Sequence, residues 1–406
     1  MTFKVGTLTT TGWTAWTSKN PQTSSTGLWA TATSSVSGTA YSPSGFTSVY
    51  NGTPTPVSKK YSNVVFLAPV NVIHTGYTDI IQGGYLTSGL YPAGIDVGIA
   101  VGPQVLLDLG PVSGGTTSGR NQLIGYGNSA GIRIGAQTAA PFTYSYSSGG
   151  VLGGKSTDQV FGQAYGISTA GIENYGVIVL GEGADLVNGV NNFAVLSDLI
   201  PANSYGLINW GLIDVGTGSK ADGADKITGV GSLVGISNSS LPNSTLPPTM
   251  TTGAGDDVIS GGANVGSNCY GIYNNGLIDM GSGNDLYQSV QAYSGLANRF
   301  GGTGIVAMGE GNDIVQGFGT GTFFGGSEGV TDAAKKKGNN ITNYDSLYLI
   351  SDQTYTFTSI TTLIKGQSVS GFTIKSGLDT MTVYGFESVG TGAGDQQAIA
   401  AGTYLF

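Results

Sequence analysis

Four stretches of this chain place glycine and aspartate at one fixed spacing: Gly181-Glu-Gly183-Ala-Asp185, Gly253-Ala-Gly255-Asp-Asp257, Gly281-Ser-Gly283-Asn-Asp285 and Gly309-Glu-Gly311-Asn-Asp313. A fifth, Gly223-Ala-Asp225, follows an insertion after Gly218, and a sixth, Gly153-Gly-Lys-Ser-Thr-Asp158, has Ser156 where glycine is expected. Glycine tolerates positive φ, so such a loop can turn its carbonyl oxygens toward one point. The aspartate adds a carboxylate, and the aliphatic residue after it anchors the turn in a core. Carbonyls and carboxylates are the donors that calcium takes, six to eight of them at about 2.3–2.6 Å. One turn does not supply six, so two stacked turns would share an ion. The same residues also make ordinary Asx turns that hold no metal.

Other chemistries find little material. The chain has one cysteine, Cys269, and one histidine, His74, which excludes an intrachain disulfide and any zinc site needing several nitrogen or sulfur ligands. No HExxH motif occurs, and Asp79, Asp96 and Asp108 stand apart without catalytic spacing. The pair Asp256–Asp257 falls inside a glycine turn, where it reads as ligand rather than as acid and base. No catalytic activity is expected. With 15 Lys plus Arg against 24 Asp plus Glu, the net charge of −9 disfavours nucleic acid, whose binding depends on basic side chains meeting phosphates.

The elements that must position these turns are strands. Glycine, 70 of 406 residues, interrupts every helical periodicity, while short β-branched runs bounded by Gly, Asn and Asp recur. Three segments align without gaps, Gly171–Gly183, Gly206–Gly218 and Gly271–Gly283, and a shortened fourth spans Gly304–Gly311. The first glycines of the turns, at 181, 216, 253, 281 and 309, lie 28 to 37 residues apart. Self-similarity at such a period indicates a solenoid. The prediction is an all-β fold: a right-handed parallel β-helix over 151–320, flanked by β-rich regions at 1–150 and 321–406. Asn174, Asn209 and Asn274 should stack as an amide ladder at the strand spacing of about 4.8 Å. The pairs at 177–178, 212–213 and 277–278 should alternate between outside and inside.

These turns resemble the calcium-binding nonapeptide repeats of the RTX (repeats-in-toxin) family, consensus G-G-x-G-x-D-x-U-x. The resemblance implies Asp185, Asp225, Asp257, Asp285 and Asp313 as carboxylate ligands of Ca2+. It implies Gly181, Gly183, Gly223, Gly253, Gly255, Gly281, Gly283, Gly309 and Gly311 as the residues shaping carbonyl-donating turns. Two departures matter. Leu180, Thr252, Met280 and Met308 replace the family's first glycine, and the turns stand one per 28 to 37 residues rather than in tandem. A wide coil with one calcium row fits this better than a compact roll.

RTX proteins also leave the cell by a one-step route with an uncleaved C-terminal signal. The N-terminus here lacks the pattern of a cleaved signal peptide, and no apolar run reaches the roughly 18 residues of a membrane span. The expectation is a secreted, calcium-binding structural protein that assembles with copies of itself into a cell-surface or matrix layer or filament. The alternative is a calcium-dependent adhesin for cell-surface polysaccharide, with Trp13, Trp16, Trp29 and Trp210 as candidates to stack on sugar rings, and behind it a polysaccharide-active enzyme of the kind parallel β-helices also build.

Overall fold

The computed structural model describes residues 3–9, 12–18, 64–66, 70–73, 78–83, 97–102, 106–109, 120–135, 149–191, 204–216 and 222–406, apart from stretches at 242–243, 245–246, 267, 293, 327–343 and 365–366. Every regular element described is a strand. Among the described residues no helix is long and apolar enough to cross a membrane.

The strands form sheets of fifteen, eleven and nine. The chain visits them in a fixed order. Tyr270–Asn274 belongs to the nine-stranded sheet, Leu277–Asp279 to the fifteen-stranded sheet and Leu286–Gln291 to the eleven-stranded sheet. The next coil repeats the circuit with Arg299–Gly301, Ile305–Ala307 and Ile314–Gln316. Successive coils pair in parallel and in register, so that Ile278 lies beside Val306 and Tyr287 beside Val315. This is the parallel β-solenoid that the repeat predicts.

Alternation along each strand builds the core. Ile178, Ile213, Met250, Ile278 and Val306 stack on one inner wall, and Val187, Ile227, Ile259, Tyr287 and Val315 on another, all at most 1% exposed. Full burial of such a side chain contributes roughly 1.5–3 kcal/mol. In the pairs at 212–213 and 277–278 the isoleucine is the inward member and the leucine is partly exposed, whereas Val177 and Ile178 are both buried. Leu180, Val215, Met280 and Met308 are fully buried at the corner before each turn. Leu180, Met280 and Met308, with buried Thr252, stand where a nonapeptide repeat has its first glycine, and here they fill the corner of a wider coil.

The ladders run past both limits of the recurrent turns. Thr78–Gly83 and Arg120–Gly127 stack in parallel before Thr157–Ala164, and Ser346–Tyr348 and Ser388–Gly390 continue after Ile314–Gln316. At the start, the antiparallel pair Phe3–Thr9 and Gly12–Ser18 adds to Val70–Ile73. At the other end the chain turns antiparallel: Thr354–Ile364, Gln367–Ser376 and Asp379–Tyr384 form a meander, and Gly402–Leu405 adds to its edge. Buried Tyr355 and Phe357 close the core there, with Tyr355 edge-on to Phe318 at 4.8 Å. Arg299 pins the meander to the coils through a two-oxygen contact with Asp379, its shortest distance 2.8 Å.

The asparagine stack is longer than the repeat indicates. Nδ2 of Asn174 donates to Oδ1 of Asn209, Asn209 to Asn238 and Asn238 to Asn274, each at 2.8 Å. Asn238 escaped the alignment because Ser239–Pro248 lengthens the connection after it.

Candidate metal centre: a ladder of buried aspartates

Asp158, Asp185, Asp225, Asp257, Asp285, Asp313 and Asp345 each stand immediately before or at the start of an eleven-stranded-sheet strand, at most 1% exposed. The pairing register puts all seven on one row. The row extends to Asn121 and Asp79 at one end and to Glu387 at the other. The structure thus brings together all five sequence-predicted aspartates. It adds Asp158, from the degraded sixth turn, and Asp345, whose only sequence signal is an aspartate two residues before Leu347.

The aspartates are linked one to the next. The backbone N–H of Asp158 donates to Oδ1 of Asp185 (2.7 Å), Asp185 to Asp225 (2.6 Å), and Asp225 to Asp257, Asp257 to Asp285 and Asp285 to Asp313 (2.8 Å each). Asp313 donates to Asp345 (3.0 Å), and Asp345 to Oε2 of Glu387 (2.7 Å). The preceding residue makes a second ladder of opposite polarity. The N–H of Asn284 donates to Oδ1 of Asp256 (2.8 Å), Asn312 to Asn284 (3.1 Å) and Tyr344 to Asn312 (2.9 Å). At the Asn284–Asp285, Asn312–Asp313 and Tyr344–Asp345 corners two adjacent N–H groups are therefore satisfied by side chains, one from the coil ahead and one from the coil behind. A short polar residue at both positions answers the need of a buried backbone donor for a partner.

The glycines behave as the spacing requires. The eight glycines of the four intact turns all have φ between 93° and 151°. At Gly283 (φ 147°) an added Cβ would lie 1.6 Å from the Gly255 carbonyl oxygen, so both conformation and close stacking demand glycine. Gly223 differs: it does not carry a positive φ, and glycine is needed because a Cβ would meet the Gly183 oxygen at 2.3 Å. The turn carbonyls are also partly used between coils. Gly253 O accepts from Ser282 (2.9 Å), Gly281 O from Glu310 (3.0 Å) and Gly183 O from Gly223 (2.7 Å), which leaves each one lone pair.

The electrostatics are unusual. Oδ2 of Asp185, Asp225, Asp257, Asp285 and Asp313 is buried without a hydrogen-bond partner. Burial, reinforced by neighbouring acids, pushes Asp185, Asp225 and Asp285 up to about 9, Asp313 to about 7 and Asp257 to about 6. Ionised, these groups repel one another in a dry corner. Protonated, each would present an O–H without an acceptor. A divalent cation on the Oδ2 row answers both difficulties, and the donor set is all oxygen. Among the described residues no three His, Cys, Asp or Glu side chains form a group able to hold a metal, so backbone carbonyls must complete any site.

Of the remaining sequence candidates, His74 and Trp29 lie outside the described residues, as do the side chains of Trp13 and Trp16. Trp210 stacks on Tyr175, ring centroids 4.3 Å apart. No protein-family model, no curated protein and no solved structure matches this chain.

Proposed function

We propose that this protein is a calcium-loaded structural solenoid of the cell exterior, a stiff rod whose coils are clamped by cations along the aspartate row. The observation that carries this reading is the run of five buried carboxylates, each with one oxygen bonded to the neighbouring coil and the other unpartnered. Asp185, Asp225, Asp257, Asp285 and Asp313 would hold the ions, with the second lone pairs of the glycine-turn carbonyls. Bound there, calcium would neutralise the carboxylates and take carboxylate and carbonyl oxygens in a flexible geometry. The resemblance of the turns to RTX repeats supports the same reading and export by a one-step route.

Assembly of copies belongs to the proposal. Among the described residues, Val64–Phe66 and Thr78–Gly83 end their sheets with one neighbour each, and an unpaired strand edge invites another strand. Leu363, Leu378 and Leu405 stand exposed on the C-terminal meander.

The test is thermal unfolding of purified protein in millimolar calcium and in excess EGTA, with electron microscopy of both samples. The expected result is a lower melting temperature in EGTA and ordered filaments or sheets in calcium alone. Identical melts would remove calcium from this account, and a monodisperse monomer at high concentration in calcium would remove assembly.

A further inference from the structure

One turn of the stack is built differently. In the regular turns, the residue between the two glycines donates its N–H to the first glycine's carbonyl in the coil before. Ser282 does so to Gly253 (2.9 Å) and Glu310 to Gly281 (3.0 Å), and Glu182 donates likewise to Gly154 (2.8 Å). Ala254 instead donates to Oδ2 of Asp222 at 3.2 Å. The chain between Gly216 and Gly223 is longer than its counterparts, and Asp222 at its end supplies the acceptor that a carbonyl supplies elsewhere. Its oxygen lies against both neighbouring glycines: a Cβ would come within 2.6 Å of it at Gly216 and 2.5 Å at Gly253. Glycine is already required at both positions, by the Thr252 carbonyl oxygen against Gly216 and by φ 94° at Gly253, and the carboxylate uses the space they leave.

The substitution exchanges a neutral oxygen for a charged one beside the aspartate row. Asp185, Asp225 and Asp257 lie on that row in the same and the two adjoining coils, at most 1% exposed, each with Oδ2 unpartnered. The charge of half-buried Asp222 bears on all three and on Asp214 at the end of the preceding strand, while exposed Asp256 bears on Asp257, Asp285 and Asp313, so that the Asp225–Asp257 step feels both. Lys226, on the same coil, is exposed.

We infer that the coil carrying Asp222 is the tightest calcium step of the ladder, where Asp222 strengthens by its charge an ion held by Oδ2 of Asp225 and Asp257 with turn carbonyls. This inference rests on the calcium reading of the row. Affinity at all-oxygen sites rises with the number of charges near the ion, and a carboxylate in a half-buried corner is poorly screened. The hydrogen-bonding role alone would be met equally by asparagine.

Calorimetric titration of the full chain with calcium separates the two roles. Asp222→Asn keeps an acceptor for Ala254 and removes the charge. It should weaken the tightest binding step by about tenfold or more without lowering the melting temperature in EGTA. Glu310→Gln, at the equivalent but exposed position of a regular turn, should leave that step unaltered. An unchanged tightest step in Asp222→Asn overturns this inference while the ladder stands. A wild-type protein that takes up no calcium and melts identically in EGTA overturns the ladder reading itself. Lowered stability of Asp222→Asn in EGTA, with calcium affinity unchanged, leaves Asp222 only its hydrogen bond and also overturns the inference.

Discussion

The backbone N–H of Asp285 donates to Oδ1 of Asp313, 2.8 Å away and one full coil further along. The two residues thus share an interaction that either substitution destroys or perturbs. Asp313→Ala leaves the Asp285 N–H buried without its acceptor and should cost roughly 1–3 kcal/mol. Asp285→Ala does the same to the Asp257 N–H. Both also remove a carboxylate from the row. The double variant is expected to lose less than the sum of the singles, as read from urea midpoints in calcium. Strict additivity would mean that the two carboxylates share no ion.

The pH response of the calcium-free protein has a definite sign. In the folded chain burial raises Asp185, Asp225 and Asp285 to about 9, Asp313 to about 7 and Asp257 to about 6. Their value in the unfolded chain is about 4. The folded state therefore binds more protons between these limits. The stability contributed by the neutral forms is complete below about pH 4 and is lost as the pH rises toward about 9. In EGTA the melting temperature should fall steadily from about pH 5 to about pH 9, and saturating calcium should flatten the slope. A calcium-free melt that holds level across this range would mean that the row is not buried as described.

Asn238 tests the amide ladder independently of any ion. It accepts from Asn209 and donates to Asn274, both at 2.8 Å, in the closed interior of the coils. Asn238→Ala should lower stability by about 1–3 kcal/mol, equally in calcium and in EGTA. A larger effect in one condition than in the other would tie this ladder to the metal row.

Much of the solenoid was legible because its repeat pairs two signals, the Asn-x-Gly-Leu-Ile-Asp run and the glycine-aspartate turn. Where either is missing, the coil continues unannounced. Asp345 follows Asn343 and Tyr344 with no glycine pair, yet its N–H and carboxylate join the row as the others do. Parallel pairing needs only an inward aliphatic residue at the right register, as Leu123 and Leu347 supply. Asp222 was hidden for the opposite reason: its detour breaks the spacing by which the turns are recognised. The engagement of the turn carbonyls between coils was not readable at all, since glycine spacing fixes the backbone's freedom and not the direction in which each carbonyl points.

The bonds of the aspartate row join residues 27, 40, 32, 28, 28, 32 and 42 positions apart, while the spacing between coils stays that of a sheet. The hydrogen bonds of the parallel coils run along the rod, so a pull between its ends is borne by the coil junctions in series and they give way one at a time. Each coil that lets go releases its own contour length, roughly 90–100 Å for 28 residues at about 3.3–3.6 Å each. The unequal coils make the steps unequal. Stretched between two anchored points, such a rod would be an extensible tether with a graded sequence of ruptures, stiff until the first coil opens and far longer afterwards.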